Sequence, residues 1–345
     1  MRPMPTVRLR AWVLAAAVPV LILTACGTGG AADDGQALTL YSGRNEALVQ
    51  PILDAFAAES GIEVAVRYGG TAEMAAQLLE EGDRSPADVF LAQDAGALGA
   101  LAAEDMLAPL PQETLEQVPQ AYRSAEGDWV GLTGRARVLV YNEDAVGVDQ
   151  LPESVFELTE EEWRGRVGIA PTNASFQSFV TAMRLMHGDE VTQQWLEDLA
   201  ANDPQAREKN GVLVADVDAG VFDDALVNHY YLFEKAQEDG VAPEELDTSL
   251  HFFEDGDAGA LVNISGIGAL GADVSPAAQE LIDYLLSEAG QEYFRDETHE
   301  YPMVEGIAAD AQLPPLASIG QPDIDLNDLD DLQTTVQMIS EAGLS

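Results

Sequence analysis

The chain contains a single cysteine, Cys26, and only four histidines in 345 residues. One cysteine excludes an intrachain disulfide, and so few thiols and imidazoles leave little for zinc or nucleophilic chemistry. The sequence also lacks a Gly-x-Ser-x-Gly elbow, a phosphate-cradling P-loop, a His-Glu-x-x-His helix and a paired-cysteine metal site. No motif therefore indicates the chemistry of the common hydrolases or nucleotide-dependent enzymes.

Basic residues are scarce as well: 16 Lys and Arg stand against 61 Asp and Glu, and the formal net charge is -45 at pH 7. Such a chain is a poor partner for nucleic acid, whose binding depends on clustered Lys and Arg. Disorder is disfavoured too, because 47% of the residues are hydrophobic and the acidic ones are interspersed among them. The length predicts two domains, and the carboxylate-rich surface suits a saline habitat, where salt screens self-repulsion.

The first 25 residues have the pattern of a secretory signal. Three arginines precede an apolar stretch over residues 11–23, which is too short for a membrane span. Leu23-Thr24-Ala25-Cys26 then resembles the bacterial lipobox, in which the cysteine becomes the lipidated first residue. We therefore predict a signal peptide over 1–25, a lipid anchor on Cys26 at the outer face of the cytoplasmic membrane, and a flexible tether over 26–36. Ordinary cleavage beside an incidental cysteine is the alternative.

Buried strands alternate with amphipathic helices along the rest of the chain. Short apolar runs predict strands at 38–41, 62–68 and 86–91, with helices between them. This alternation is typical of an α/β protein with a parallel sheet covered on both faces, whose ligands lie beyond the carboxyl ends of the strands. The loops at 42–46 and 92–94 are therefore predicted to face the ligand. Further predicted elements are strands at 129–132, 138–141 and 259–264, the first and last of which cross between domains, and helices at 276–294 and 329–341.

Asn228-His229-Tyr230-Tyr231 places two tyrosines side by side. Ferric iron is a hard cation that prefers anionic oxygen ligands, and it can displace the proton of a phenol whose pKa lies near 10. Neighbours in a regular strand point to opposite faces, so both hydroxyls would meet on one metal only at an irregular strand end. The pair therefore either binds a metal or packs in the core beside Leu232 and Phe233.

Thr172-Asn173-Ala174-Ser175 comes just before a helix with apolar residues at helical spacing. Free backbone N–H groups and the helix dipole make such a point attractive to an anion. A plain N-cap by Asn173 or Ser175 is the alternative.

Several segments together resemble the bacterial periplasmic ferric-iron-binding proteins, which are substrate-binding components of ABC iron importers. They occur in family order over nearly the whole chain after residue 36. The matching segments are 40–44, 80–90, 134–138, 167–172, 209–212, 228–231, 259–262 and 325–329. The resemblance implies an α/β, two-lobed type II periplasmic-binding fold with two crossing hinge strands, in which the lobes close over the ligand. It places lobe 1 at 37–131 and 263–306, and lobe 2 at 132–262 and 307–345.

The resemblance also implies the site residues. Tyr230 and Tyr231 match the family's iron-ligating tyrosines. The positions that hold a synergistic anion, such as phosphate or carbonate, correspond to Asn173, Ser175, Asn210 and Asn228.

Two positions depart from the family pattern. Asn45 and Gln93 stand where some members place a histidine and a glutamate ligand, and neutral amides are poor ferric ligands. The first lobe is therefore expected to contribute through Glu46 or Asp94, or only through Arg44 holding an anion. Since other branches rely more on tyrosines and an anion, the secondary candidates are Tyr41, Tyr141 and Arg135.

The sequence thus predicts a monomeric, non-enzymatic carrier that captures ferric iron outside the membrane and delivers it to a permease driven by an ATPase. One alternative keeps the fold but binds an organic anion, such as a phosphonate or a sugar phosphate, with the tyrosines merely lining the cleft. A remote alternative is a secreted hydrolase with paired carboxylates, although 61 acidic residues make a chance pair unavoidable.

Overall fold

The computed structural model of the protein describes residues 37–253 and 256–344. The predicted signal peptide, Cys26 and the tether lie outside the described residues. The strands are β1 (Leu38–Ser42), β2 (Val64–Tyr68), β3 (Val89–Ala92), β4 (Trp129–Asn142), β5 (Val167–Ile169), β6 (Gln205–Ala206), β7 (Asp224–Asn228), β8 (Thr248–His251), β9 (Val262–Ala269) and β10 (Tyr301–Pro302). The helices are α1 (Glu46–Ser60), α2 (Thr71–Glu81), α3 (Ala95–Ala102), α4 (Gln112–Leu115), α5 (Ala174–His187), α6 (Asp189–Ala201), α7 (Asn210–Asp218), α8 (Tyr230–Asp239), α9 (Pro276–Leu286), α10 (Glu288–Glu297) and α11 (Leu332–Glu341).

The strands pair in the order β2-β1-β3-β9-β4-β7-β5-β6, and β8 and β10 each pair with β4. β1 runs parallel to β2 and β3, and β5 runs parallel to β6 and β7. β9 and β4 are antiparallel to their neighbours and join these two parallel groups. The predicted α/β class with two crossing strands is therefore present, while the sheet is mixed where the sequence predicted a parallel one.

β4 is the long strand that connects the two parallel groups of strands. The sequence predicted separate strands at 129–132 and 138–141, but the structure has one strand of 14 residues, all buried. Gly134 lies in the interval between them because β10 packs there, and an added Cβ would lie 2.3 Å from Met303 Cε. β4 pairs with β9 as far as Ala136 and with β7 from Arg137 onward. This change of neighbour creates a switch point, where ligands of open α/β sheets commonly bind.

Two predicted helices have different limits in the structure. The helix at 276–294 is divided into α9 and α10 at Ser287, whose extended backbone ends α9 and whose hydroxyl accepts from Gly290 N–H at 3.2 Å. Serine favours such caps because its hydroxyl binds nearby backbone groups. The final helix begins at Leu332 and follows a short 3-10 turn, Leu326–Asp330. Within residues 37–253 and 256–344, no helix combines the length and the apolarity that crossing a membrane requires.

Candidate metal and anion site

The tyrosine pair lies where β7 ends and α8 begins. His229 connects β7 to α8 and already has helical backbone angles, and Tyr230 is the first residue of α8. The rings of Tyr230 and Tyr231 stack, with their centroids 4.3 Å apart and an interplanar angle of 30°. The strand therefore ends just before the pair, and the first turn of a helix brings the two rings together.

Tyr230 is 6% exposed, whereas Tyr231 is half-buried. Burial raises the pKa of the Tyr230 hydroxyl well above its ordinary value; Tyr231 adds to the shift and Arg135 opposes it. Tyr230 therefore keeps its proton at neutral pH unless a cation displaces it. Among the described residues, no three His, Cys, Asp or Glu side chains are grouped so that they could hold a metal ion.

His229 is the histidine next to the tyrosine pair, and its position makes it a candidate metal ligand. Its Nδ1 accepts from Ala136 N–H at 3.1 Å, and its Nε2–H donates to the carbonyl of His299 at 2.8 Å. Burial lowers the pKa of His229 to about 4, so the ring is neutral at physiological pH. Since both ring nitrogens are bound to the main chain, His229 anchors the tyrosine turn and has no free nitrogen for a metal.

A small polar cavity of about 10 Å³ lies at the switch point of β4, and a cavity of this size holds roughly one water molecule. Its lining residues are Gln93, Asp94, Arg135, Arg137, Ala174, Ser175, Ser178, Asn228, Leu261 and Asn263. Three predicted anion-binding residues, Ser175, Asn228 and Arg135, therefore meet one predicted metal-binding residue, Gln93. Residues that are distant in sequence are brought together here by the crossing strands.

Asn173, Ser175 and Asn210 form one hydrogen-bonded group at the start of α5. Asn173 Oδ1 accepts from the N–H of Ser175 at 2.9 Å and from its hydroxyl at 2.8 Å, so the N-cap is present. Asn210 Nδ2 donates to Ser175 Oγ at 2.9 Å, while its Oδ1 is buried without a partner in the described chain. The two interpretations of this segment are compatible, because Ser175 belongs to the cap and also lines the cavity.

Arg137 lines the cavity and was not among the site residues predicted from the sequence. It is 2% exposed, its Nη2 donates to the carbonyl of Leu226 at 2.9 Å, and its Nη1 lies 3.4 Å from Ser175 Oγ. Its Nε has no partner, and no carboxylate in the described ranges pairs with it. Burial lowers the pKa of Arg137 to about 9, with Tyr231 opposing the shift. The available signal was the Arg135-Ala136-Arg137 spacing, which places two arginines on one face of a strand.

The lobe 1 candidates lie at helix starts. Asn45 is exposed and caps α1, accepting from Ala47 N–H at 3.0 Å. Glu46 is also exposed and lies near Tyr68, and its charge contributes to raising the pKa of Tyr68 to about 12, after burial as the main cause. Asp94 caps α3, and burial raises the pKa of its carboxyl. Of the three, only Asp94 lines the cavity, alongside Gln93.

Arg44 lies two residues after β1 and is buried. Its Nη1 and Nη2 donate to Oε1 and Oε2 of Glu300, both at 2.8 Å. Glu300 also accepts from the Thr298 hydroxyl at 2.9 Å, and Arg135 Nε lies 3.7 Å from Glu300 Oε1. Arg44 is therefore paired with a carboxylate and does not line the cavity. Its role in holding an anion stays a prediction.

The two secondary tyrosines have other surroundings. Tyr41 donates to Glu81 at 3.2 Å and accepts from Arg67 at 3.4 Å, while the Arg67 guanidinium lies 5.3 Å from its ring centroid. Tyr141 lies near the far end of β4, where its neighbour in the β4–β7 strand register is Asp224. The structure therefore brings neither of them to the cavity lining.

Comparison with known proteins agrees with this geometry. The sequence pattern of the bacterial extracellular solute-binding protein family matches residues 84–326. The chain is 34% identical over 316 residues to the Fe(3+)-binding periplasmic protein of Serratia marcescens, covering 91% of this chain and 92% of that protein. It is 32% identical over 313 residues to the major ferric iron-binding protein of Neisseria gonorrhoeae, covering 89% and 93% respectively.

Solved structures show the same architecture. Iron-bound HitA from Pseudomonas aeruginosa matches with a TM-score of 0.82 and 36% identity, over 90% of this chain and 100% of HitA. Trichodesmium IdiA (FutA), in complex with iron and citrate, matches with a TM-score of 0.77 and 26% identity, over 90% and 100%. The predicted two-lobed fold is thereby confirmed, while its lobe limits stay a prediction. The chain belongs to the bacterial extracellular solute-binding proteins, within the group of periplasmic ferric-iron-binding proteins.

Proposed function

We propose that this chain captures ferric iron on the phenol oxygens of Tyr230 and Tyr231 and holds a small anion in the adjoining polar cavity. The observation that carries the proposal is the stacked tyrosine pair, of which Tyr230 is buried, which begins two residues after the cavity-lining Asn228. The ferric iron named for the Serratia and Neisseria relatives and the iron bound to HitA support the same cargo.

The chemistry follows from the charge and hardness of the cation. A trivalent ion displaces one proton from each phenol, and the two phenolates then neutralise two of its three charges. Because burial raises the pKa of Tyr230, protons compete strongly for that oxygen. Iron binding should therefore weaken as the pH falls. The amount of iron that stays bound at a given pH should depend on both hydroxyls.

An anion completes the arrangement. Arg137 is a buried cation without a carboxylate partner in the described chain, and a buried unpaired charge is costly. Carbonate or phosphate near Ser175 would accept from Arg137 and from the side-chain N–H groups of Asn173 and Asn228. Asn210 would act by donating to the Ser175 hydroxyl and holding it in place. The cavity of about 10 Å³ is smaller than such an anion, so entry requires the lobes to move apart.

An organic anion as the principal cargo is the second candidate, and the unpaired Arg137 favours it. A phosphonate or sugar phosphate would use the same arginine and amides.

Delivery and anchoring complete the proposal. We place the protein at the outer face of the cytoplasmic membrane, tethered by lipid on Cys26, as the pattern Leu23-Thr24-Ala25-Cys26 indicates. It would act as a monomer without catalysis of its own, passing iron to an ABC permease and its ATPase. The family's role in solute binding supports this partner class.

The test is a titration of the purified chain with ferric citrate. Wild type should develop a visible phenolate-to-iron charge-transfer band, and the double variant Tyr230→Phe with Tyr231→Phe should abolish it. Tyr141→Phe is the matched control and should keep the band, because Tyr141 faces Asp224 at the end of the β4–β7 pairing remote from Asn228 and the tyrosine pair. A colourless wild type that an organophosphate stabilises against heating would favour the second candidate. Turnover of a glycoside or ester would instead support the hydrolase.

A further inference from the structure

One carboxylate connects several parts of the chain around the proposed site. Glu300 accepts two hydrogen bonds from Arg44 after β1, and it lies 3.7 Å from the Nε of Arg135 on β4. The residue before it, His299, accepts a hydrogen bond from His229 of the tyrosine turn. The residue after it, Tyr301, places its ring centroid 4.9 Å from that of His229. We call residues 298–301 the Glu300 junction.

The carboxylate of the Glu300 junction is buried and held by several hydrogen bonds. Glu300 is 2% exposed and Arg44 is 4% exposed, and Thr298 donates a further hydrogen bond to the carboxylate. Burial alone would raise the pKa of Glu300, but Arg44 and Arg135 outweigh it and the pKa is lowered. The carboxylate is therefore ionised at neutral pH, and it compensates one of two neighbouring positive charges.

The clamped guanidinium is linked to the tyrosine turn through this junction. Glu300 binds Arg44, the carbonyl of His299 binds His229, and the His229 ring centroid lies 6.0 Å from that of Tyr230. Burial alone would lower the pKa of Arg44, but Glu300 outweighs it, and the charges of Tyr230 and Tyr231 raise it further. A guanidinium near a phenolate can act in two opposite ways. Held still, it stabilises the phenolate; released, it donates to the phenolate oxygen and competes with the metal.

We propose that Glu300 is a positioning residue for metal capture, which clamps Arg44 beside the phenols and cancels one positive charge that would repel a trivalent cation. The inference rests on the proposed function, since it concerns iron held by Tyr230 and Tyr231. It assigns lobe 1 an electrostatic contribution through Arg44, in place of the ligands that Asn45 and Gln93 do not supply.

The test compares iron affinity, by citrate competition, with the position of the charge-transfer band. Glu300→Gln keeps the side-chain size but removes the charge, and should weaken iron binding by roughly tenfold or more. Its band should move to shorter wavelength, because the released Arg44 draws electron density from the phenolates. Adding Arg44→Gln to Glu300→Gln removes the unpaired cation, and should restore most of the affinity and the band position.

Two further variants keep the outcome interpretable. Asp223→Asn is the matched control: it removes a carboxylate 2.6 Å from Arg166 Nε and should leave affinity and band unchanged. Glu300→Asp keeps the charge with a shorter reach, and should retain the wild-type band even where Glu300→Gln folds poorly. A shifted band in Glu300→Asp would overturn the charge argument.

Three results would reject the proposed role of Glu300. One is a Glu300→Gln variant with wild-type affinity and band, and another is a lower melting temperature with an unchanged band. The third is a double variant as impaired as Glu300→Gln alone. A wild-type protein that shows no band at all would instead refute the proposed function itself, so the two failures are distinguishable.

Discussion

The two sides of the polar cavity use their polar side chains differently. On the side of α5, α7 and β7, atoms are left over: Arg137 Nε and Asn210 Oδ1 are buried without partners in the described chain. On the side of α1 and α3, the oxygens of Asn45 and Asp94 each cap a helix. There, Arg44 is fully engaged with Glu300. The first side therefore has polar atoms without hydrogen-bond partners, whereas the named polar groups of the second side are already hydrogen-bonded within the protein.

This difference shows what makes a polar residue available to a ligand. Helix ends require partners for their free N–H groups, and an oxygen committed to a cap is a weaker candidate for a metal. Buried polar atoms without partners are rare in folded proteins, so the unpartnered Nε of Arg137, a residue that lines the cavity, calls for an occupant. We therefore expect mutations of Arg137 on the first side to change binding, and mutations of the helix caps on the second side to change stability. The Arg44–Glu300 pair is the proposed exception on the second side, because its charges act on the tyrosines.

Arg137→Gln should produce the largest effect. Removing the unpaired cation should weaken phosphate binding by roughly 30-fold or more, because a buried charge pair with the anion is lost. The measurement is the rise in melting temperature that phosphate causes, which should nearly disappear in the variant. Arg137 lies over the ring of Phe179, 5.3 Å from its centroid. Arg207→Gln is the control, because Arg207 likewise lies 5.2 Å from the Phe222 centroid but pairs with Asp216. Equal stabilisation of both variants by phosphate would contradict the comparison.

Asp224→Asn tests whether an unpaired buried atom is sufficient for a binding site. Both carboxylate oxygens of Asp224 are buried without partners in the described chain, at the end of β7 opposite Asn228. Burial raises the pKa of Asp224 well above its ordinary value, so its ionisation opposes folding. Wild type should lose stability as the pH rises above about 4 toward the folded-state pKa.

The variant should lack that dependence and gain about 1–3 kcal/mol at neutral pH, while iron affinity stays unchanged. Urea unfolding at pH 5 and pH 8 measures both quantities. Asp223→Asn is the neighbouring control and should give no such gain, because Asp223 is paired with Arg166. A variant less stable than wild type at pH 8 would show that the Asp224 carboxylate has a partner in solution.

Asn45→Ala should produce the smallest effect. It removes the N-cap of α1 and should cost about 1 kcal/mol of unfolding free energy, as caps typically do. Asn45→Asp keeps a capping oxygen and should preserve stability. Iron affinity should be the same in all three proteins, and a clear loss of affinity in Asn45→Ala would place Asn45 in the metal site after all.

Sequence patterns identified much of the local structure. β1 and β3 coincide with predicted apolar runs, because burial on both faces of a sheet requires such runs. β2 also overlaps its predicted strand, although it lies at the edge of the sheet and its residues alternate between partly buried and exposed. The limits of β4 were wrong, since its pairing with β9, β7 and β10 outweighs the interruption at Gly134. The division at Ser287 was missed because a continuous apolar period hides a serine cap.

The proposed site was predicted unevenly. The resemblance directed attention to Tyr230, Tyr231 and the anion-binding amides, and the structure groups Ser175 with Asn228 and Arg135 at one cavity. Arg137 was overlooked because nothing in its neighbourhood along the chain tells whether a carboxylate will face it. Glu300 was overlooked for the same reason, since it is 256 residues away from Arg44.

The sequence by itself determined the α/β class, the adjacency of the two tyrosines and the acidic composition, since these depend on periodicity, neighbouring positions and counts. Only the tertiary structure decided which polar groups are hydrogen-bonded within the protein and which are available to a ligand. Hydrogen-bond partners and burial come from distant segments: His229 binds the backbone of Ala136 and of His299. Local patterns carry no record of such partners, so the availability of a side chain for iron or an anion is a property of the folded chain.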